Sequence, residues 1–84
     1  MGGGMGAGIV ELDLHGKNTY QAKIAVDAAL RRATAGTYRI RCIHGCHGGT
    51  ALRDMLRGEY AKHPKVRRLD TADAGSTQLV LREF

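Results

Sequence analysis

The sequence predicts a small α/β domain, an α+β open-faced sandwich in the order β-α-β-α-β-β, with a four-stranded mixed sheet and two helices on one face. Three observations predict it. Apolar residues alternate with charged ones in several short runs, the pattern of strands that are wet on one side. Two stretches carry apolar residues at helical spacing between those runs. An apolar run also closes on His-Gly twice, at Leu14-His15-Gly16 and at Ile43-His44-Gly45. The two histidines stand 29 residues apart, about the length of one strand, crossover helix, strand unit, so parallel strands would carry both to one end of the sheet. Open α/β sheets bind ligands at that end.

Residues 1–8 are glycine-rich and read as a flexible leader, leaving 9–84 as a single domain. In residues 9–14, Val10, Leu12 and Leu14 share one face while Glu11, Asp13 and then His15 take the other. Asn18 with Gln21 three residues on has the form of an N-cap and its capping-box partner. The helix that follows carries Ala22, Ala25, Val26, Ala29, Leu30 and Ala33 in one stripe and is expected to end near Gly36. Residues 38–43 set Tyr38, Ile40 and Cys42 against Arg39 and Arg41. A second helix begins near Thr50, turns Leu52, Met55, Leu56 and Tyr60 inward, and ends before Pro64. Residues 65–70 form a short basic strand, 72–76 a turn, and 77–84 a last alternating strand that closes a hairpin and is available as a sheet edge.

Thirteen Lys and Arg against eight Asp and Glu give a net charge of +5, and between Arg31 and Arg68 ten basic residues face only Asp54 and Glu59. Such a field attracts polyanions. No apolar run approaches the ~20 residues of a membrane span, and nothing near the start has the apolar stretch of a signal peptide. A cytoplasmic protein with no membrane contact is therefore expected. Cys42 and Cys46 form no disulfide framework; Cys42 reads as a buried, reduced thiol.

Residues i and i+2 of a strand share a face, so the Asp13 carboxylate can approach the His15 imidazole, orient it and favour its protonated form, as a general base or acid requires. The turn His44-Gly45-Cys46-His47-Gly48-Gly49 leads into Thr50 at a helix N-terminus, where free amides and the helix dipole favour a phosphate. Arg53, one turn in, can add a charged fork, and Arg39 and Arg41 extend the positive surface on the open face. No Gly-Lys-Ser/Thr follows the turn, which excludes a P-loop. Cys42, His44, Cys46 and His47, with His15 as a further ligand, also permit a zinc site, although their spacing matches no Cys-x-x-Cys knuckle.

Leu12-Asp13-Leu14-His15-Gly16, a helix, Ile43-His44-Gly45, a glycine-rich turn and Ala51-Leu52-Arg53 together resemble the small MutS-related domain, usually called Smr. The resemblance runs from about Glu11 to Phe84. It implies a fold similar to the C-terminal domain of translation initiation factor three, nucleic-acid binding and, in many members, endonuclease activity on DNA or RNA. Carried onto this sequence, it makes Asp13 and His15 the catalytic pair and His44 and Gly45 phosphate-site residues. Many nucleolytic members read His-Gly-x-Gly-x-Gly, whereas here the turn before Leu52-Arg53 is one residue longer and places His47 near the middle glycine. That form is similar to a compact stand-alone branch reading His-Gly-x-His-Gly-Gly-Thr-Ala-Leu-Arg.

The expected activity is phosphodiester cleavage in RNA or structured DNA, with Asp13, His15 and His44 catalytic and Gly45, His47, Gly48, Gly49, Thr50, Arg53, Arg39 and Arg41 holding the nucleic acid. RNA supplies its own nucleophile, the 2′-hydroxyl; DNA would call for activated water and Mg2+ or Mn2+ at Asp13. A non-catalytic nucleic-acid-binding module is the alternative, and a metal-binding or protein-interaction domain a weaker one. Recruitment to a larger repair or translation complex would require a separate partner.

Overall fold

Alternation decides which side of each strand meets the helices. In β2 (Ile9–Asp13), Val10 and Leu12 turn towards the core and Glu11 and Asp13 away; in β3 (Arg39–Ile43), Ile40 and Cys42 are fully buried while Arg39 and Arg41 face out. The structure, a computed structural model, describes residues 4–5, 8–45, 50–71 and 73–82. β2 and β3 pair in parallel, with Val10 opposite Ile40, Leu12 opposite Cys42 and Asp13 opposite Ile43. Parallel neighbours need a crossover, and α1 (Thr19–Arg32) supplies it.

After β3 come α2 (Thr50–Tyr60), β4 (Arg68–Asp70) and β5 (Ser76–Val80), completing the expected mixed sheet with its helices on one face. One strand is additional. β1 (Gly4–Met5), within the glycine-rich start, pairs antiparallel with Ile9 and Val10, so the sheet order is β1-β2-β3-β5-β4. β5 lies between β3 and β4, antiparallel to both, which corrects the expectation that the last strand is an edge. Burial explains the placement: Ser76, Thr77, Leu79 and Val80 of β5 are all buried, whereas the short β4 keeps Arg68 exposed. Brief, charged strands are the ones that sheets can leave at an edge.

The capping box of α1 forms as expected. Asn18 Oδ1 accepts the Gln21 amide at 2.8 Å and Gln21 Oε1 accepts the Asn18 amide at 3.1 Å. Ala22, Val26 and Leu30 form the buried stripe, with Ala25 and Ala29 packed beside it. The helix stops at Arg32 rather than near Gly36, because Thr34 Oγ1 accepts the Gly36 amide and Thr37 Oγ1 accepts the Thr34 amide. Such local side-chain bonds compete with helical ones.

Leu52, Leu56 and Tyr60 are the buried residues of α2, and Tyr60 ties the two helices together. Its hydroxyl donates to Asp27 Oδ1 at 2.6 Å, and Lys23 Nζ reaches Asp27 Oδ2 at 3.0 Å. Lys65 Nζ donates to the Leu30 carbonyl at 3.0 Å, a second bond to an acceptor that already takes the Ala33 amide at 3.2 Å at the end of α1. Burial alone would raise the Asp27 pKa, but the bonds from Tyr60 and Lys23 outweigh it and hold the carboxyl below its ordinary 3.8. Tyr60→Phe, which keeps the ring and removes the bond, should cost about 1 kcal/mol at neutral pH in urea unfolding. Because the folded pKa of Asp27 is depressed, this contribution is complete above the ordinary value and is lost as pH falls through the folded one. Wild type and variant should therefore converge in acid; a gap that stays constant with pH would contradict the clamp.

Candidate functional site

The carboxyl ends of β2 and β3 meet the start of β5, and register decides what each end presents. Asp13 pairs with Ile43, a separation of 30, while the histidines are 29 apart, so His15 stands opposite Gly45 and Leu14 opposite His44. The Leu14 amide, donating to the Ile43 carbonyl at 2.8 Å, carries the pairing one residue past the strands. A shift of one residue changes faces. His15 is accordingly exposed on the side of Glu11 and Asp13, and His44 is turned to the core, 3% exposed. The structure brings His15 together with Gly45, where a Cβ would stand 3.5 Å from His15 Cδ2, and it separates the two imidazoles onto opposite faces.

A tight turn holds His15. The Lys17 amide donates to the Leu14 carbonyl at 3.0 Å, and Gly16, third in the turn, has φ +84°, the positive value a type II turn needs there. Asp13 Oδ1 accepts the His15 main-chain amide at 2.9 Å. The expected contact between the Asp13 carboxylate and the His15 ring is thus replaced by a bond to the His15 backbone. The chain bends directly after Asp13, which brings the amide two residues on within reach of the short side chain. Asp13 positions His15 by fixing the turn that carries it.

His44 is anchored from all sides. Its amide and that of Gly45 both donate to the Gly75 carbonyl, at 3.1 and 2.9 Å. Nδ1 lies 3.0 Å from the Gly45 carbonyl, which only accepts, so Nδ1 carries the hydrogen; Nε2, 3.0 Å from Thr77 Oγ1, then accepts from the hydroxyl in the neutral ring. Gly45 itself has φ +82°, a conformation that suits glycine. The Gly75 carbonyl is presented by a turn built on Asp73, whose Oδ1 accepts the Gly75 amide at 2.9 Å and whose Oδ2 accepts the Ser76 hydroxyl at 3.2 Å. Arg41 joins Asp73 Oδ2 at 3.1 Å and Glu11 Oε2 at 2.7 Å. The Gly75 amide first, then Arg41 and Ser76, hold the Asp73 carboxyl below its ordinary pKa, while Asp73 and Glu11 raise that of Arg41.

The other expected phosphate residues sit as follows. Arg39 bonds Asp70 Oδ2 and Gln78 Oε1, each at 3.0 Å, so both open-face arginines are held in polar lattices on that face. Thr50 is exposed as the first residue of α2, and Arg53 is half-buried, its Nε 3.6 Å from Asp54 Oδ1. Cys46, His47, Gly48 and Gly49 lie outside the described residues. Cys42 is fully buried on the core side, where desolvation pushes its thiol up to about 12; His15 is on the opposite face. Among the described residues no three His, Cys, Asp or Glu side chains converge as metal ligands. Thr77, Asp73 and Gly75 went unnoticed in the sequence. The Asp-Ala-Gly-Ser run over 73–76 is a turn signal, but only the antiparallel pairing of Thr77 with Cys42 aims that hydroxyl at the core side.

This arrangement defines a two-layer α/β domain whose sheet carries, at one end, an exposed histidine turn seated on a buried one. The family model of the Smr domain matches residues 12–78, and the chain belongs to that family. Among solved structures it is similar to the crystal structure of the Smr domain of Thermus thermophilus MutS2, at 32% identity and a TM-score of 0.76, over 87% of this chain and 98% of that one. No curated protein matches the sequence. Among the described residues no helix is long and apolar enough to cross a membrane.

The buried pair of His44 and Thr77 generates a stability prediction. Thr77→Val keeps the shape of the side chain and leaves a buried ring nitrogen without its partner, at a cost of about 1–3 kcal/mol. Thr77→Ser should retain most of the stability. Urea unfolding of both variants checks this, and a Val variant as stable as the Ser variant would remove Thr77 from the support of the site.

Proposed function

We propose that this Smr domain binds nucleic acid and cleaves phosphodiester bonds, with RNA as the substrate and His15 as the group that moves the proton. The observation that carries this reading is the placement of His15: solvent-exposed, fixed through its backbone by Asp13, and lying against Gly45 just past the end of β3. A phosphate at the N-terminus of α2 would meet free main-chain amides and the positive end of the helix dipole, with Thr50 and Arg53 on the first turn. His15 would then take the proton from the 2′-hydroxyl as that oxygen attacks the adjacent phosphorus and the bond to the 5′-oxygen breaks. His44 acts here as a positioning residue: its ring is committed to Gly45 and Thr77, and its main chain shapes the turn against which His15 rests.

DNA has no internal nucleophile, and Mg2+ or Mn2+ would supply an activated water for it. Asp13 is the one carboxylate at the His15 turn among the described residues; its Oδ1 accepts the His15 amide, and Oδ2, together with a substrate phosphate, would hold such an ion. A binding module without turnover is the second reading. It is favoured by the burial of His44, which leaves His15 as the exposed imidazole at this end among the described residues. General acid–base cleavage gains most from two proton-carrying groups.

End-labelled single-stranded RNA, duplex DNA and branched DNA, each with and without Mg2+ or Mn2+, should separate the readings. Wild type is expected to cut the RNA, and His15→Ala should slow cutting by about 10²-fold or more with RNA binding retained. Asp13→Ala should lower the rate less, since it loosens the turn and leaves the imidazole in place. Undiminished cutting by His15→Ala removes it from catalysis, and binding without cutting by the wild type selects the binding module.

A further inference from the structure

A group of basic residues that make no ion pair among the described residues lies at the end of the sheet away from the histidines. On the open face Arg39 and Arg41 are paired with Asp70, Glu11 and Asp73. At the opposite end, where α1 finishes, β3 begins and β5 ends, a cleft of about 390 Å³ is lined by Thr34, Thr37, Lys65, Arg67 and Arg82, with Pro64 and Leu81 as apolar wall. No carboxylate is among its lining residues. Arg67 and Arg82, and Arg31 and Arg32 at the end of α1, make no ion pair among the described residues.

The cleft is built on paired backbone. The Arg67 amide donates to the Val80 carbonyl at 2.7 Å, and the Leu81 and Arg82 amides donate to the Tyr38 carbonyl at 2.7 and 3.2 Å, which fixes the points from which both guanidinium groups extend. Thr34 Oγ1 and Thr37 Oγ1 are acceptors in their local bonds, so their hydroxyl hydrogens are left to donate outward. The carboxyl end of α1 disfavours an anion. Lys65 offsets this by bonding the Leu30 carbonyl, and an ammonium has two further hydrogens. Guanidinium forks, hydroxyl donors and a small apolar wall suit a phosphate that carries an organic group.

We propose that this cleft is a second nucleotide-binding site, holding a phosphate and its nucleoside from the same strand whose scissile bond lies at His15. The proposal rests on the nucleic-acid reading given above and deepens it by assigning a remote anchor. The five residues of β3 separate the two ends, about 17 Å. A stacked strand advances about 3.4 Å per nucleotide, so about five nucleotides are needed to reach both. A trinucleotide can occupy one end only.

The test compares wild type with an R67Q/R82Q variant, both replaced side chains being exposed, after circular dichroism has shown that the two fold alike. Fluorescence anisotropy is read with a labelled single-stranded RNA of ten nucleotides and one of three, across a salt series. For the ten-nucleotide RNA the variant should bind roughly tenfold more weakly, and its log–log salt slope should fall by about 1.4, two cations at about 0.7 each on a single strand. The variant should bind the ten-nucleotide RNA little better than the three-nucleotide one, whereas wild type should strongly prefer the longer. Equal affinity and equal slope for the two proteins on the longer RNA would overturn the proposal. Wild type that binds neither RNA would defeat the nucleic-acid reading itself, and the cleft is then decided by titrating adenosine 5′-monophosphate into 15N-labelled wild type. Saturable shifts of the Thr34, Thr37, Arg67 and Arg82 amides keep the cleft as a nucleotide site; their absence overturns it. The same titration decides the matter if R67Q/R82Q does not fold.

Discussion

The parallel register of β2 on β3 is the constraint from which the rest of this domain follows. Pairing Asp13 with Ile43 places Leu12 beside Cys42 and Val10 beside Ile40 under the helices, and it puts Glu11 directly across from Arg41 on the open face. It also sets the two strand endings out of step by one residue. The same His-Gly pair therefore produces two different objects: a solvent-facing imidazole on a type II turn, and a buried imidazole that bonds Thr77 and its own following carbonyl. One supports and the other is displayed. A repeat in register would have turned both rings to the same face, either exposing both or burying both beneath α2.

Much of the fold was legible in the sequence because the signals for it are local. The alternation of 9–14 and 38–43, the Asn18–Gln21 capping box and the stripe through Ala22, Val26 and Leu30 depend only on neighbours along the chain, and the structure contains them. What escaped depends on which strand lies beside which. Alternation in 77–84 does not say whether that strand has one neighbour or two, and β5 has two. Gly36 looked like the natural end of α1, yet two threonine hydroxyls halted the helix earlier by bonding amides nearby. At the site, Asp13 and His15 were legible as a pair from their spacing, while the atom that Asp13 binds was set by the bend after the strand. Apart from the adjacent Gly45 carbonyl, the supports of His44 come from residues more than thirty positions away, where no local pattern points.

Net charge is a poor guide to where a polyanion would meet this surface, because the excess is unevenly neutralised. The open face presents Arg39 and Arg41 together with Glu11, Asp70, Asp73 and Gln78, so that arginines there are matched at short range. At close quarters such a lattice looks nearly neutral to an incoming phosphate. Arg31, Arg32, Arg67 and Arg82, around the end of α1 and the end of β5, make no ion pair among the described residues. Long-range attraction depends on the total, but the final docking positions depend on which cations remain without a local counter-ion.

The open-face lattice nevertheless leaves Arg41 available to the candidate interface. Its ion pairs with Glu11 and Asp73 are solvent-accessible and screened by salt, so exchanging a carboxylate for a phosphate at that guanidinium exchanges one weakly held anion for another. The turn beneath would survive the exchange. The strongest influence holding Asp73 ionised is the Gly75 amide, ahead of Arg41, and the Ser76 hydroxyl also remains bound. The Gly75 carbonyl would thus stay in place under His44 and Gly45 while Arg41 changed partners. Support for the buried histidine and recruitment of charge on the open face are therefore separable, although one aspartate takes part in both.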